Sequence, residues 1–246
     1  MSMLAVLLIA VGLGDVGRRL LRRRWLPPVV GVVVVVGVAM LAGLWHLGDL
    51  PLLAIDSTAA VGWQVSCERA ERTGTRQVTP LIVFGAAVAA LILLSGWGSD
   101  VAGVIGRWPS WVGAEVTPNR MLMAVGVLLV QAATANQLVR LVLGSVGSVK
   151  PAGQPQASDQ LKGGRLLGPM ERLLIVGLGL AGQLTMASAV VAAKSIIRFP
   201  EISAKRDREG NTERVGIDDV TEYFLVGSFA SWIVAFGGLA LVAAAH

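Results

Sequence analysis

Six long apolar stretches, separated by polar and glycine-rich connections, set the pattern of this chain. The first covers residues 3–17, short for the roughly 20 that a membrane-crossing helix needs, and Arg18, Arg19, Arg22, Arg23 and Arg24 follow at once. A secretory signal peptide carries its positive charge ahead of the apolar stretch, and here all of it comes after. The segment is therefore expected to persist as an uncleaved helix with its N-terminus outside. A helix lying in the interface is the alternative, because Asp15 and Gly17 weaken its inner end. Residues 28–45 form the clearest stretch, about 27 Å long as a helix, with Pro27 and Pro28 at its entrance and Trp25 and Trp45 as interface anchors.

The third stretch opens at Thr79-Pro80, read as a Thr N-cap with Pro in the first helical position, and ends near Gly96-Trp97. Thr117-Pro118 opens the fourth in the same way, and it continues to about Leu143. The fifth runs from Gly168-Pro169, with Glu171 in its first turn, to Ala193 or Ile197. The sixth begins at Asp218-Asp219, where Asp219 and Glu222 have capping-box spacing, and runs through Val242.

Among the connections, residues 49–79 hold a weakly amphipathic stretch at 58–72 that reads as a surface helix, and residues 98–115 read as an interfacial or re-entrant segment around Trp108, Pro109 and Trp111. Residues 145–164, rich in Gly, Ser, Gln and Pro, read as a flexible linker. It separates an N-terminal membrane half (1–144, about four spans) from a C-terminal helix pair with a charged connecting loop (165–246). The expected fold is all-α, a polytopic integral membrane protein of about six transmembrane helices.

Composition supports that reading. Of 246 residues 54% are hydrophobic, 30 more are glycine, and only 15% are charged, against about 25% in ordinary soluble domains. The net charge of +5 would suggest nucleic acid in a soluble protein, but these cations flank apolar runs and no basic face is interleaved with aromatics, so a nucleic-acid partner is not expected. Arginine outnumbers lysine 17 to 4, a hint of a GC-rich bacterial genome. With the N-terminus outside and six spans, inside connections hold 13 cations and outside connections 6, which places both termini outside a bacterial inner membrane.

The inventory for chemistry is thin. Two histidines (His46 and His246) and the single Cys67 leave no zinc, iron–sulfur or histidine-relay set, and GxSxG, P-loop and CxxC motifs are missing. No enzyme activity, cofactor or metal is expected. The glycine-rich run from Gly177 to Gly182 lacks a preceding strand and reads as helix packing. Polar groups within spans are the better candidates, because lipid makes them costly unless paired. In the fourth span Asn136, Gln137 and Arg140 share an arc of about 100°, and Gln131 lies opposite Arg140. That face is either a lined path or a set of interhelical hydrogen bonds with a snorkelling arginine. Gln183 sits mid-way along the fifth span, and Gly227, Ser231 and Ala235 form a small-residue stripe on the sixth. Arg140 is expected to meet Glu171, and Lys194 with Arg198 to be neutralised by Glu222, with Asp15 as a further anion.

Four blocks, Gly-Arg-Leu-Leu-Gly-Pro-Met-Glu-Arg-Leu-Leu from Gly164, Gly182-Gln183, Ala-Ala-Lys-Ser-Ile-Ile-Arg-Phe from Ala192 and Glu-Tyr-Phe-Leu-Val-Gly-Ser from Glu222, resemble the C-terminal part of a family of uncharacterised bacterial multi-pass membrane proteins, a domain of unknown function. Its members often begin with a His and Asp pair inside the first apolar segment. Gly14-Asp15 matches the Asp side, and Val11 stands where the His would be. The resemblance implies topology and residues to test, and no reaction. Two functions remain open: a membrane component that assembles with partner proteins or with itself in the lipid bilayer, and a small transporter or channel-like protein using the polar face of the fourth span.

Overall fold

The computed structural model describes residues 1–20, 26–111, 113, 115–147, 164–206 and 217–245. Every α, 3-10 or π element among them is helical, and no strand occurs among them. The chain forms two units, residues 1–134 with 238–246, and residues 135–237.

In the first unit, α1 (Ser2–Leu20) is apolar on every side through its first three turns, the pattern of an interior helix. It is the core: residues 3–11 are at most 5% exposed. Around it pack α2 (Leu26–Ala42), α3 (Asp49–Thr73) and α6 (Pro118–Leu129), and α4 (Val78–Leu93) packs mainly on α3. Glycines allow the close approaches. A Cβ at Gly12 would stand 2.9 Å from Cβ of Leu129, and one at Gly126 would stand 3.1 Å from the Ala5 carbonyl oxygen. The short helix α5 (Trp108–Trp111) follows a 3-10 turn, and α6 passes through a π turn (Val130–Thr134) into α7 (Ala135–Ser145) of the second unit. That unit also holds α8 (Gly164–Leu180), α9 (Leu184–Arg206) and most of α10 (Ile217–Ala244).

Several expectations need correcting. Residues 49–73, read as a loop with a surface helix, form one 25-residue helix packed against α1, α2 and α4. The fifth stretch is not a single span. It breaks at Gly182, whose φ of +76° suits glycine, and the amides of Gln183 and Gly182 bond back to the carbonyls of Leu178 and Gly179. A straight helix would separate Glu171 from Lys194 by about 34 Å, yet the two form an ion pair, so α8 and α9 are an antiparallel hairpin. The third stretch starts at Val78, ahead of the expected Thr79 cap, with the Thr79 amide bonded to the Arg76 carbonyl. Thr117 does cap α6, accepting from the Arg120 amide at 3.4 Å. Residues 98–111 are tied to the neighbouring helices by hydrogen bonds. Ala102 donates to the Ala42 carbonyl and Val101 to the Asn119 side chain, so the segment lies across the end of α2 and the start of α6. The linker lies mostly outside the described residues, its positions 148–163 among them.

Among the described residues two helices, Pro118–Ser145 and Thr221–Ala244, are long and apolar enough to cross a membrane.

Candidate functional site

Polar side chains gather at three levels along the inner face of α3 in the first unit, and in one network in the second. At the start of α3, Asp49 is fully buried. Its carboxylate accepts from the His46 amide at 2.9 Å, the Ser99 amide at 2.8 Å and the Ser99 hydroxyl at 2.9 Å. Ser99 Oγ also meets His46 Nδ1 at 2.8 Å, and Ser2 Oγ donates to the Ser99 carbonyl, which ties α1 into the same knot. Gly48 makes room here, since a Cβ would stand 2.6 Å from the Trp97 carbonyl oxygen.

Fourteen residues further along α3, about 21 Å, lies the second cluster. Asp15 of α1 is buried and accepts from Trp63 Nε1 at 3.1 Å, Gln64 Nε2 at 3.0 Å and Arg18 Nη2 at 2.9 Å. Trp63 is itself fully buried and tilts its ring against Phe84 of α4 at 5.3 Å. Arg19 reaches the Ala133 carbonyl of the π turn at 2.8 Å, supplying a donor where the widened turn loosens the helical ladder.

Asp56 stands between these clusters. It is fully buried, and neither carboxylate oxygen has a hydrogen-bond partner.

In the second unit Glu171 of α8 is clamped by Lys194 of α9 at 2.5 Å and by the Trp232 indole N–H of α10 at 2.9 Å. The Lys194 ammonium also lies 5.9 Å from the centre of the Trp232 ring. Arg172 is buried and donates to Asn136 Oδ1 at 2.6 Å and to Ser231 Oγ at 3.0 Å. Four helices thus meet in one buried polar network.

The candidate residues fare differently. Asp15, Asn136, Glu171 and Lys194 enter these clusters. Glu171 takes Lys194 in place of the expected Arg140, whose side chain is exposed. Lys194 meets Glu171 instead of Glu222, which is exposed, and Asp15 belongs to Arg18 and α3. The Arg198 side chain lies outside the described residues. Gln183 is exposed at the α8–α9 turn. Gln131 and Gln137 are both buried, whereas Arg140 of the same stretch is exposed. Gln131 packs on Gly238, where a Cβ would stand 2.9 Å from its amide nitrogen. Gly227 and Ser231 of the stripe face Leu143 and Arg172, so the stripe serves packing within the unit. Asp49, Asp56, Trp63, Gln64, Arg172 and Trp232 are additions. Asp49, Asp56, Trp63 and Cys67 recur at helical spacing, a signal diluted by the charged end of the same segment.

No family model, curated protein or solved structure matches the chain.

Proposed function

We propose that the protein is a multi-pass integral protein of a bacterial inner membrane, crossing six times through α1, α2, α3, α4, the continuous helix 118–145, and α10. The α8–α9 hairpin enters and leaves on one side. One observation carries this reading, an inversion of the usual distribution of polarity. Asp15, Asp49, Asp56 and Arg172 are at most 2% exposed, while Leu93 is 84%, Val33 63%, Ile82 63% and Phe229 63% exposed. Water would drive the opposite arrangement.

Counting α3 as a span sharpens the charge asymmetry. Between Leu50 and Cys67 its one ionisable side chain besides the thiol is Asp56, and α1 is shielded from lipid by its neighbours. Inside connections and helix ends then hold 17 cations, from Arg18 round to Arg214 with Arg140 and Arg172 set aside, and outside ones hold Arg107 and Arg120 alone. Both termini stay outside, and the connection between α7 and α8 moves inside. The resemblance of residues 164–232 to uncharacterised bacterial membrane proteins is in keeping with this placement.

The protein works as a non-enzymatic membrane component that assembles with partner membrane proteins. The polar groups of the fourth span serve as ties between helices, which leaves an apolar exterior as the surface a partner in the bilayer would meet. Cysteines placed at Thr75 and at Val104, after Cys67→Ala, test the topology. Thr75 should label only from the inside of intact cells and Val104 only from the outside, whereas a loop in place of α3 reverses the pattern, with Thr75 outside and Val104 inside. Native mass spectrometry from a mild detergent tests assembly: a lone single copy under every extraction would refute it.

A further inference from the structure

Asp49, Asp56 and Trp63 lie seven residues apart on α3, so they share one face at steps of about 10.5 Å, and Trp63 carries Asp15 on its indole nitrogen. The middle member is unlike the other two. Asp49 and Asp15 are ringed by donors, while Asp56 has none and no contact with water. Nothing ionisable on the packed elements supplies a counter-charge. α2 and α4 contain no ionisable side chain. On α1 the ionisable groups are Asp15, Arg18 and Arg19, two turns or more away, and Arg18 is held by Asp15. On α3 itself the nearest are Asp49 and Cys67. A bare carboxylate in such a place costs several kcal/mol or more, so the side chain rests as the neutral acid.

We propose that Asp56 is a proton-binding site in the core of the first unit, the middle station of a proton path along the inner face of α3 from the Asp49 cluster to Asp15. The membrane reading above is its premise. A partner's cation cannot reach a fully buried group, and a metal ion would need several oxygen ligands where Asp56 has no polar neighbour. In the transfer the O–H bond of Asp56 breaks, its electron pair stays on the carboxylate, and the proton passes through transient water to the Asp15 carboxylate. A second proton, delivered from the Asp49 side, re-forms the O–H bond. Ala60 beside Gly31 keeps the face narrow between stations, with a Cβ at Gly31 only 3.3 Å from Ala60.

The full chain in liposomes loaded with a pH-sensitive dye, under a potassium diffusion potential, reads the flux. Wild type should change internal pH faster than protein-free vesicles, Asp56→Asn should fall to the vesicle background, and Asp56→Glu should keep part of the flux. Infrared spectra of the wild type at neutral pH should show a protonated-carboxyl C=O band that is missing in Asp56→Asn and displaced in Asp56→Glu. If Asp56→Asn does not fold, wild type and Asp56→Glu carry the test. Wild-type flux at background, an undiminished flux in Asp56→Asn, or no protonated-carboxyl band overturns the proposal. Cysteine labelling decides the membrane reading separately, so a chain that crosses as proposed yet passes no protons refutes the proton path alone.

Discussion

Glu171→Gln tests the network in the second unit most sharply. The amide oxygen keeps an acceptor for the Trp232 indole, so the substitution removes charge with little change of shape. What it leaves without its carboxylate is the Lys194 ammonium, its side chain 16% exposed, beside the buried Arg172 guanidinium. Breaking a buried pair from one side costs about 3–5 kcal/mol, because the remaining charge stays buried without compensation. At about 2–4 °C per kcal/mol for a chain of this size, the melting temperature should fall by roughly 6–20 °C. Lys194→Met should cost less, about 1–3 kcal/mol, because Glu171 retains the Trp232 donor and the neighbouring Arg172 charge. The double variant should recover part of the Glu171→Gln loss, since one uncompensated cation is gone. Thermal unfolding in detergent, followed by tryptophan fluorescence, gives all three values. The reasoning fails if Lys194→Met costs as much as Glu171→Gln, or if Glu171→Gln stays within about 1 kcal/mol of wild type.

Gly48→Ala should destabilise the first unit by about 1–3 kcal/mol, since the new methyl meets the Trp97 backbone oxygen and not a movable side chain, as a thermal melt would show. Gly14→Ala should displace Gln64 from Asp15, because its Cβ would stand 2.6 Å from the Gln64 amide nitrogen; a double cycle with Gln64→Ala should show strong coupling.

Apolar runs made α1, α2, α4, the helix 118–145 and α10 legible, because each is nearly uniform in hydropathy over its length. α3 escaped for the opposite reason. Its buried face includes Asp49, Asp56, Trp63 and Gln64, residues that look like solvated ones until partners are known, and Glu68, Arg69, Glu71 and Arg72 crowd its far end. The α8–α9 break hid inside a continuous apolar stretch, with Gly182 and Gln183 as its only mark. At the candidate site, charges within apolar stretches drew attention to Asp15, Glu171 and Lys194, which lie in the buried polar clusters. Their partners come from helices distant in sequence, as Trp63 does for Asp15 and Trp232 for Glu171, and no local spacing encodes such a meeting.

The burial of α1 constrains the order in which the molecule can be made. Its Gly12 face closes on Leu129, roughly a hundred residues later in the chain. At a synthesis rate of about 5–20 residues per second, α1, under the membrane reading proposed above, waits some 5–20 s beside lipid or the insertion machinery before its last neighbour arrives. Asp15 can recruit Trp63 and Gln64 halfway through that interval, so the acid that is hardest to leave in a bilayer acquires its donors well before the helix that carries it is sealed from lipid.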